Sequence, residues 1–191
     1  KGAVYGLTEH YADEIKTARL VACPGCYPTA VLLALLPLTK GKLIKSDGVI
    51  IDAKSGVSGA GRTLKQNILF SEAGEGLSPY GIGNHRHVPE IEQELSVAAG
   101  AAVTVNFTPH LVPMSRGELC TCYVERAGKA NAGALRQALA KAYAASPFVP
   151  TERVGPDAPL VHEHLPRIVI IVDELADLMM TVGREVEEAI T

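Results

Sequence analysis

The sequence predicts an α/β fold of the α+β kind, in which helices cover a mixed, largely antiparallel sheet. Three observations support this prediction. Apolar, β-rich stretches are interspersed with stretches of helical spacing along the chain. Two of the β-rich stretches are separated by only a short turn, which favours antiparallel pairing. Hydrophobic residues make up 47% of the 191 positions, and this is enough for one sizeable core.

The elements in the first third of the chain are short, apart from one helix. Residues 7–18 are polar with scattered apolar positions, and this pattern predicts a short helix. The segment RLVA at 19–22 predicts a brief buried strand. The segment GVIIDAKSG at 48–56 is typical of a strand that runs into a glycine-rich turn, which we expect at 55–62.

The apolar run after the first cysteine pair predicts the longer helix. Pro28 suits the first helical position, where its missing N–H costs nothing. We expect this helix to reach about Leu36 and to end near Pro37 and Gly41, because proline interrupts helices and glycine commonly follows their last turn.

The middle of the chain predicts two helices around two strands. Residues 88–100 have proline and acids in the first turns and glycine at the end, which favours a helix. Residues 101–113 and 117–126 alternate between apolar and polar positions and predict a hairpin or paired strands. Residues 131–146 have the spacing of an amphipathic helix.

Composition argues against two classes of partner. The net charge is -3 with acids and bases mixed along the chain, so we expect neither nucleic acid nor an anionic membrane surface as a ligand. The longest apolar run, at 30–38, is too short to cross a bilayer. The four cysteines form two tight pairs, which favours a reducing, cytoplasmic setting over a disulfide-linked secreted domain. The sequence begins without Met, and we expect a further segment upstream.

The pair formed by Cys23 and Cys26 allows several interpretations. With Cys120 and Cys122 it supplies four thiolates for zinc, but the second pair lies in an alternating strand rather than a turn. Cys-Pro-Gly-Cys before a helix also fits a dithiol redox centre, although the βαβ context is missing. Cys26 at a helix N-terminus fits a nucleophile, because the helix dipole and free N–H groups lower a thiol pKa. Spacing alone leaves this open against a buried structural cysteine.

A histidine pair is the candidate for proton transfer. Histidine is the side chain whose ordinary pKa lies closest to neutrality. His85 and His87 precede a helix, and on an extended segment their side chains would face the same way. Glu90, in the first helical turn, would be able to orient His87. The alternative is a pair of ordinary surface histidines.

The glycine-rich turn SGVSGAGR has near matches to two nucleotide-binding motifs. It lacks the lysine of a P-loop and the third glycine of a dinucleotide fingerprint. We expect instead a turn whose N–H groups, with Ser58 and Arg62, face an anionic group of the substrate. Gly56 and Gly59 are the residues of this turn that we expect next to a cofactor. A plain tight turn is the alternative.

Five stretches of the sequence carry a family pattern. They are AVYGLTE (3–9), CPGCYPT (23–29), IIDAKSGVSGAGR (50–62), GNHRHVPEIEQEL (83–95) and FTPHLVPMSRGELCTCYV (107–124). In order and in spacing they resemble the N-acetyl-gamma-glutamyl-phosphate reductases of arginine biosynthesis. The resemblance covers about residues 1–148, and the departure from the pattern is Cys23, where the family has Asn.

The resemblance implies a glyceraldehyde-3-phosphate dehydrogenase-like catalytic domain and a thioester mechanism. Cys26 would attack the γ-acyl phosphate of N-acetyl-gamma-glutamyl phosphate, and NADPH would reduce the thioester to a semialdehyde. His87 would be the acid/base with Glu90 beside it, and His85 a second choice or a substrate ligand. Cys120 and Cys122 have no role in the family pattern, so we expect them to be buried strand residues. A homo-oligomer is also implied.

The family's Rossmann domain, which carries most of the NADP site, has no counterpart in this sequence. The tail resembles a second family, because residues 156–191 are similar to the Walker B region of septal DNA translocases. There Asp173 would point towards Mg²⁺ and Glu174 towards water. We therefore expect a reductase domain at 1–148, and a linker with a strand–helix translocase fragment at 149–191. An inactive fusion, or a fragment of an ATP-dependent translocase, is the alternative function.

Overall fold

A five-stranded sheet and three helices packed on one of its faces form the fold in a computed structural model. The structure describes residues 2–61, 63–146, 148, 149, 151 and 168–173. The strands are β1 (Val4–Tyr5), β2 (Val21–Ala22), β3 (Val49–Ser55), β4 (Ser78–Pro79), β5 (Val105–Leu111), β6 (Glu118–Val124) and β7 (Ile168–Asp173). The helices are α1 (Thr8–Lys16), α2 (Cys26–Lys40), α3 (Phe70–Ala73), α4 (Val88–Ala99) and α5 (Ala132–Ala142), with 3₁₀ turns at Val57–Ala60 and Gln66–Ile68.

The large sheet has the strand order β4-β5-β3-β6-β7. β3 and β5 are parallel, and the other three pairings are antiparallel. The prediction of a mixed, largely antiparallel sheet is therefore confirmed. The prediction that residues 101–113 and 117–126 pair with each other is wrong, because β3 lies between β5 and β6. The connection at 112–117 passes the end of β3, where Val112 donates a backbone hydrogen bond to Ser55.

The alternation of β3 gives the sheet two different faces. Val49, Ile51 and Ala53 are buried against the helices, whereas Asp52 and Lys54 on the other face are half-buried. Burying one large aliphatic side chain stabilises the fold by roughly 1.5–3 kcal/mol. Two further residues of the buried face are the cysteines of β6, Cys120 and Cys122, both fully buried. The prediction that these two are buried strand residues is confirmed.

The helix after the cysteine pair is longer at both ends than predicted. It starts at Cys26 rather than Pro28 and continues through Pro37 to Lys40. A proline inside a helix leaves the carbonyl four residues earlier without its donor. Here that carbonyl belongs to Leu33, and the Tyr143 hydroxyl, which follows α5, donates to it. The tertiary hydrogen bond replaces the missing helical one, so the helix does not end.

The other predicted elements occur with one correction. The helices predicted at 7–18, 88–100 and 131–146 are present as α1, α4 and α5, and the last begins with Asn131 Oδ1 accepting from Ala134 N at 2.9 Å. The strand predicted at 19–22 is β2, which pairs in parallel with β1. Both of its residues are exposed rather than buried.

The last described strand lies at the edge of the large sheet. β7 pairs antiparallel with β6, with Leu119 opposite Asp173. Glu174, the helix of the predicted strand–helix fragment and nearly all of the linker lie outside the described residues. The assignment of this tail to a translocase fragment therefore stays a prediction. Within the described part of the chain, no helix has both the length and the apolar character needed to cross a membrane.

Candidate active site

Cys26 is the first residue of α2, as the nucleophile hypothesis requires. Gly25 precedes the helix in an extended conformation, and its carbonyl accepts from the Thr29 N–H at 3.0 Å and the Thr29 hydroxyl at 2.8 Å. The N–H groups of Cys26 and Tyr27 act on the Cys26 thiol in the direction that lowers its pKa. This is the effect expected at a helix N-terminus, where the first amides have no helical partner.

The net effect on the thiol is opposite to the prediction from the helix dipole. Burial of the sulfur and the neighbouring Glu118 carboxylate raise the pKa of Cys26 to about 12. Cys26 is exposed as a residue, so solvent reduces the part that burial plays. The effect of Glu118 remains, because a carboxylate next to the sulfur disfavours a second negative charge there. The predicted low thiol pKa is therefore wrong for the described arrangement.

Glu118 is the residue at this site that the sequence analysis missed. It begins β6, is only 6% exposed, and lies beside the Cys26 side chain. Burial raises the pKa of its carboxyl to about 7, and the neighbouring Cys26 thiol acts in the opposite direction. Cys120 Sγ lies 4.0 Å from Glu118 Oε1. The signal was present in the alternation of ELCTCYV, where an acid occupies the register of the buried cysteines.

The two histidines come together, although the segment between them is not extended. Residues 86 and 87 form a turn, and α4 begins directly after it. The imidazole centroids of His85 and His87 are 4.8 Å apart. His87 is buried, and a Cβ atom placed on Gly25 would lie 2.4 Å from its Nε2. His87 therefore packs on the backbone immediately before Cys26.

Aromatic rings hold the histidine pair in place. The Tyr27 ring lies 5.8 Å from the His85 ring and 5.9 Å from the His87 ring, edge-on in both cases. The hydroxyls of Tyr27 and Tyr80 share a hydrogen bond of 2.9 Å. The Phe107 ring centroid lies 5.1 Å from that of His85. Burial lowers the pKa of both histidines. Both imidazoles are therefore neutral at pH 7, and each has one nitrogen that donates and one that accepts.

Glu90 lies at this site, but it does not orient His87 by a hydrogen bond. Its Oε1 accepts from the Tyr5 hydroxyl at 2.6 Å and from the Gly25 N–H at 2.9 Å. His87 Nδ1 has no hydrogen-bond partner among the described residues. Glu90 does raise the pKa of His87 by its charge, although burial outweighs this effect. Its direct contact is with the loop that precedes Cys26.

The glycine-rich turn does not present free amides to an anion. The N–H groups of Gly56, Val57 and Ser58 donate to carbonyls of residues 114–117, at 2.9, 2.9 and 3.1 Å. A Cβ atom on Gly56 would lie 2.7 Å from the backbone of Arg116, so this glycine permits a close approach of two chain segments. The expected anion-facing amides are therefore wrong for this turn. Ser58 is exposed, and Arg62 lies outside the described residues.

These contacts also bear on the cofactor prediction. Gly59 donates its N–H to Gly56, so neither of the glycines expected next to a cofactor has a free amide. The described part of this turn therefore does not fit the phosphates of a dinucleotide. In the described ranges, no group of three or more His, Cys, Asp or Glu residues is arranged to hold a metal ion. His110 lies away from these groups, because its Nδ1 is 3.3 Å from Asp52 Oδ1 on the other face of the sheet.

Sequence comparison finds similarity to known proteins over most of the chain. Residues 26–178 match the family described as semialdehyde dehydrogenase, dimerisation domain. An N-acetyl-gamma-glutamyl-phosphate reductase from Rhodospirillum rubrum is 55% identical over 162 residues, which are 85% of this chain and 45% of that protein. A probable chloroplastic reductase of the same name from Arabidopsis thaliana is 57% identical over 149 residues, 78% of this chain and 37% of that protein. The chain thus spans less than half the length of these relatives.

Solved structures support the fold. Aspartate semialdehyde dehydrogenase II from Vibrio cholerae aligns with a TM-score of 0.62 and 16% sequence identity, covering 90% of this chain and 62% of that one. The predicted fold, a mixed sheet covered by helices that is similar to the one in dehydrogenase catalytic domains, is therefore confirmed. The family match passes residue 148 and includes β7, while the domain boundary expected near that residue stays a prediction.

Proposed function

The chain belongs to the family of semialdehyde dehydrogenase dimerisation domains, and from this premise we propose that it is the substrate-binding catalytic domain of an N-acetyl-gamma-glutamyl-phosphate reductase. Relatives that carry this name are 55% and 57% identical to it. The observation that carries the proposal is the position of Cys26 at the start of α2, with His87 packed on Gly25 directly before it. These are the parts that an acyl-transfer centre needs.

The proposed reaction at this site is the formation of a thioester. The Cys26 sulfur attacks the γ-acyl carbonyl of N-acetyl-gamma-glutamyl phosphate, and a carbon–sulfur bond forms. The bond between the carbonyl carbon and the phosphate oxygen breaks, phosphate leaves, and the thiol proton passes to a base. In this proposal the first amides of α2 donate to the carbonyl oxygen as negative charge develops on it, and N–H groups in such a position stabilise the transition state.

His87 is proposed to act on the carbonyl oxygen of the substrate. It is buried beside the nucleophile, and its lowered pKa keeps the imidazole neutral at pH 7, so one nitrogen donates. Its Nδ1 is buried and has no hydrogen-bond partner among the described residues. His85, next to it, is proposed as a substrate ligand.

Reduction of the thioester to a semialdehyde requires a hydride, which NADPH supplies in the family that the chain resembles. The described turn does not fit that cofactor, so we assign none of the described residues to it. The family description, a dimerisation domain, supports a homo-oligomer as the working form. Arginine biosynthesis is the proposed setting, on the names of the relatives.

The test is formation of a covalent acyl adduct on the 191-residue chain. We expect incubation with N-acetyl-gamma-glutamyl phosphate to add one N-acetylglutamyl group, located at Cys26 by peptide mass spectrometry and released by hydroxylamine. Cys23→Ser, which changes the exposed neighbouring cysteine, is the matched control and should acylate like the unaltered chain. Absence of the adduct, or equal acylation of Cys23, would overturn the proposed function.

A further inference from the structure

The N-terminal segment at 4–6 lies against the loop at 22–25, directly before the candidate nucleophile. β1 and β2 pair in parallel, and the Gly6 N–H donates to the Ala22 carbonyl at 2.8 Å. A Cβ atom on Gly6 would lie 3.0 Å from that carbonyl oxygen and 3.3 Å from Pro24 Cδ. Glycine permits this close approach, so the N-terminal segment is in direct contact with the loop.

One carboxylate oxygen connects the N-terminal segment to the backbone next to Cys26. Glu90 Oε1 accepts from the Tyr5 hydroxyl at 2.6 Å and from the Gly25 N–H at 2.9 Å. Burial and the neighbouring Glu90 carboxylate raise the pKa of Tyr5 above its ordinary value, so the hydroxyl keeps its proton and remains a donor. Because the same oxygen makes both bonds, a displacement of the Tyr5 hydroxyl also moves the acceptor of the Gly25 amide.

We propose that Tyr5 is a positioning residue, which holds the loop before Cys26 in the conformation needed for attack on the acyl phosphate. This inference rests on the proposed function. Tyr5 acts through Glu90, whose carboxylate binds the amide of Gly25, and Gly25 directly precedes the first residue of α2. Reaction rates depend steeply on such placement, because a shift of about 1 Å can cost about 10²-fold in rate.

A second bond of the same kind makes positioning distinguishable from stability. One helical turn further along α4, Glu94 Oε2 accepts from the Tyr11 hydroxyl. Glu94 is buried, and its other side-chain hydrogen bond among the described residues is with Gln93 rather than with the loop at 22–25. The rings of Tyr5 and Tyr11 pack edge-on, with centroids 6.1 Å apart. Both tyrosines therefore attach the start of the chain to α4, but of the two it is Tyr5 whose partner also binds the loop.

The experiment compares the kinetics of Cys26 acylation in Tyr5→Phe, in Tyr11→Phe and in the unaltered 191-residue chain. The probe is N-acetyl-gamma-glutamyl phosphate at several concentrations, and the adduct is followed by intact mass. Tyr5→Phe should lower the maximal rate about 10- to 100-fold. Its half-saturating concentration should stay within about two-fold, because the lost interaction places the sulfur and does not bind the substrate.

Tyr11→Phe is the matched control, since it removes a tyrosine–glutamate bond of the same helix that is not connected to the loop. We expect its melting temperature to fall about as much as that of Tyr5→Phe, while its acylation rate stays at the unaltered value. Glu90→Ala supplies a second test. Because Tyr5 acts through Glu90, adding Tyr5→Phe to Glu90→Ala should not slow acylation further.

If Tyr5→Phe does not fold, hydrogen exchange in the unaltered chain decides. As urea rises, the Gly25 amide should lose its protection together with the Gly6 amide, which belongs to the N-terminal segment. A Gly25 amide that stays protected after the Gly6 amide has become exchangeable overturns the role of Tyr5.

The outcomes separate the two proposals. An unaltered chain that forms no adduct at Cys26 overturns the proposed function, and this inference with it. If the unaltered chain acylates, an unchanged rate in Tyr5→Phe overturns only the role of Tyr5. An equal loss of rate in the two tyrosine variants, a raised half-saturating concentration at an unchanged maximal rate, or a further loss in the Glu90→Ala background overturns that role too.

Discussion

The Tyr143 hydroxyl donates a hydrogen bond to the carbonyl of Leu33, the group that Pro37 leaves without a helical donor. Because the hydroxyl proton is used in this way, His10 Nε2 donates to the Tyr143 oxygen, at 2.9 Å. The Leu33 carbonyl lies in the buried part of α2, 110 residues before Tyr143 in the sequence. The bond from Tyr143 lets the helix that carries Cys26 extend over fifteen residues.

Removing this hydroxyl should destabilise the protein. Tyr143→Phe leaves the buried Leu33 carbonyl unpaired, and we expect a loss of about 1–3 kcal/mol in the free energy of unfolding, measured with urea. Tyr123→Phe, at a half-buried strand position, serves as the control and should cost less. In a Pro37→Ala background the helix regains its own donor, so Tyr143→Phe should cost less there. Equal costs in both backgrounds would contradict the compensation.

Gly25 should not tolerate a side chain. A Cβ atom there would lie 2.4 Å from His87 Nε2, so Gly25→Ala must displace the imidazole or the loop before Cys26. Overpacking of this kind typically costs about 1–3 kcal/mol. We expect Gly25→Ala to lower the melting temperature and to change the rate of Cys26 alkylation by iodoacetamide. Gly2→Ala, with open space around it, is the control that should change neither quantity.

Glu90 should act through its hydrogen bonds more than through its charge. Glu90→Gln keeps an oxygen that accepts from Gly25 N and from the Tyr5 hydroxyl, whereas Glu90→Ala removes both bonds. Each bond to a charged acceptor typically contributes about 1.5–3 kcal/mol, and less where solvent has access. We expect a lower melting temperature for the alanine variant and a near-normal one for the glutamine variant. An equal loss in both variants would show that the charge is what matters.

His10 should make stability depend on pH. Burial, with the Lys40 charge next to it, lowers the pKa of His10 to about 4. The unfolded chain therefore binds a proton that the folded chain does not between about pH 6.5 and 4. Stability that depends on neutral His10 should fall as pH falls through this window. His10→Gln should flatten that part of the profile, measured by urea unfolding at several pH values; an unchanged slope would contradict the shift.

Most helices and strands could be predicted from the sequence, because the signals for them lie within each segment. The proline and acids at the start of α4, and Gly100 directly after it, mark the two ends of that helix in the sequence. The alternation of β3 likewise predicted its two faces. The order of the strands in the sheet could not be predicted from such local signals. β3 lies between β5 and β6 through contacts separated by more than fifty residues, and no turn signal records them.

The same distinction between local and long-range signals applies to the candidate site. Cys26, His85 and His87 follow from residue type and from a family resemblance, and they do lie around the start of α2. Glu118 was missed because its importance comes from the neighbour that the fold gives it, not from its own segment. Pro37 shows the opposite error, since the rule that proline ends a helix holds only where nothing else satisfies the freed carbonyl.

The bonds of Glu90 have a consequence for when the chain becomes chemically competent. They join residues 85 and 65 positions apart, so Tyr5, Gly25 and Glu90 meet only after long-range closure, which is slow in folding. Until then the sulfur belongs to an ordinary flexible peptide. A nascent or partly unfolded polypeptide therefore lacks the arrangement of groups around Cys26, and any selectivity of the site arises together with the native state.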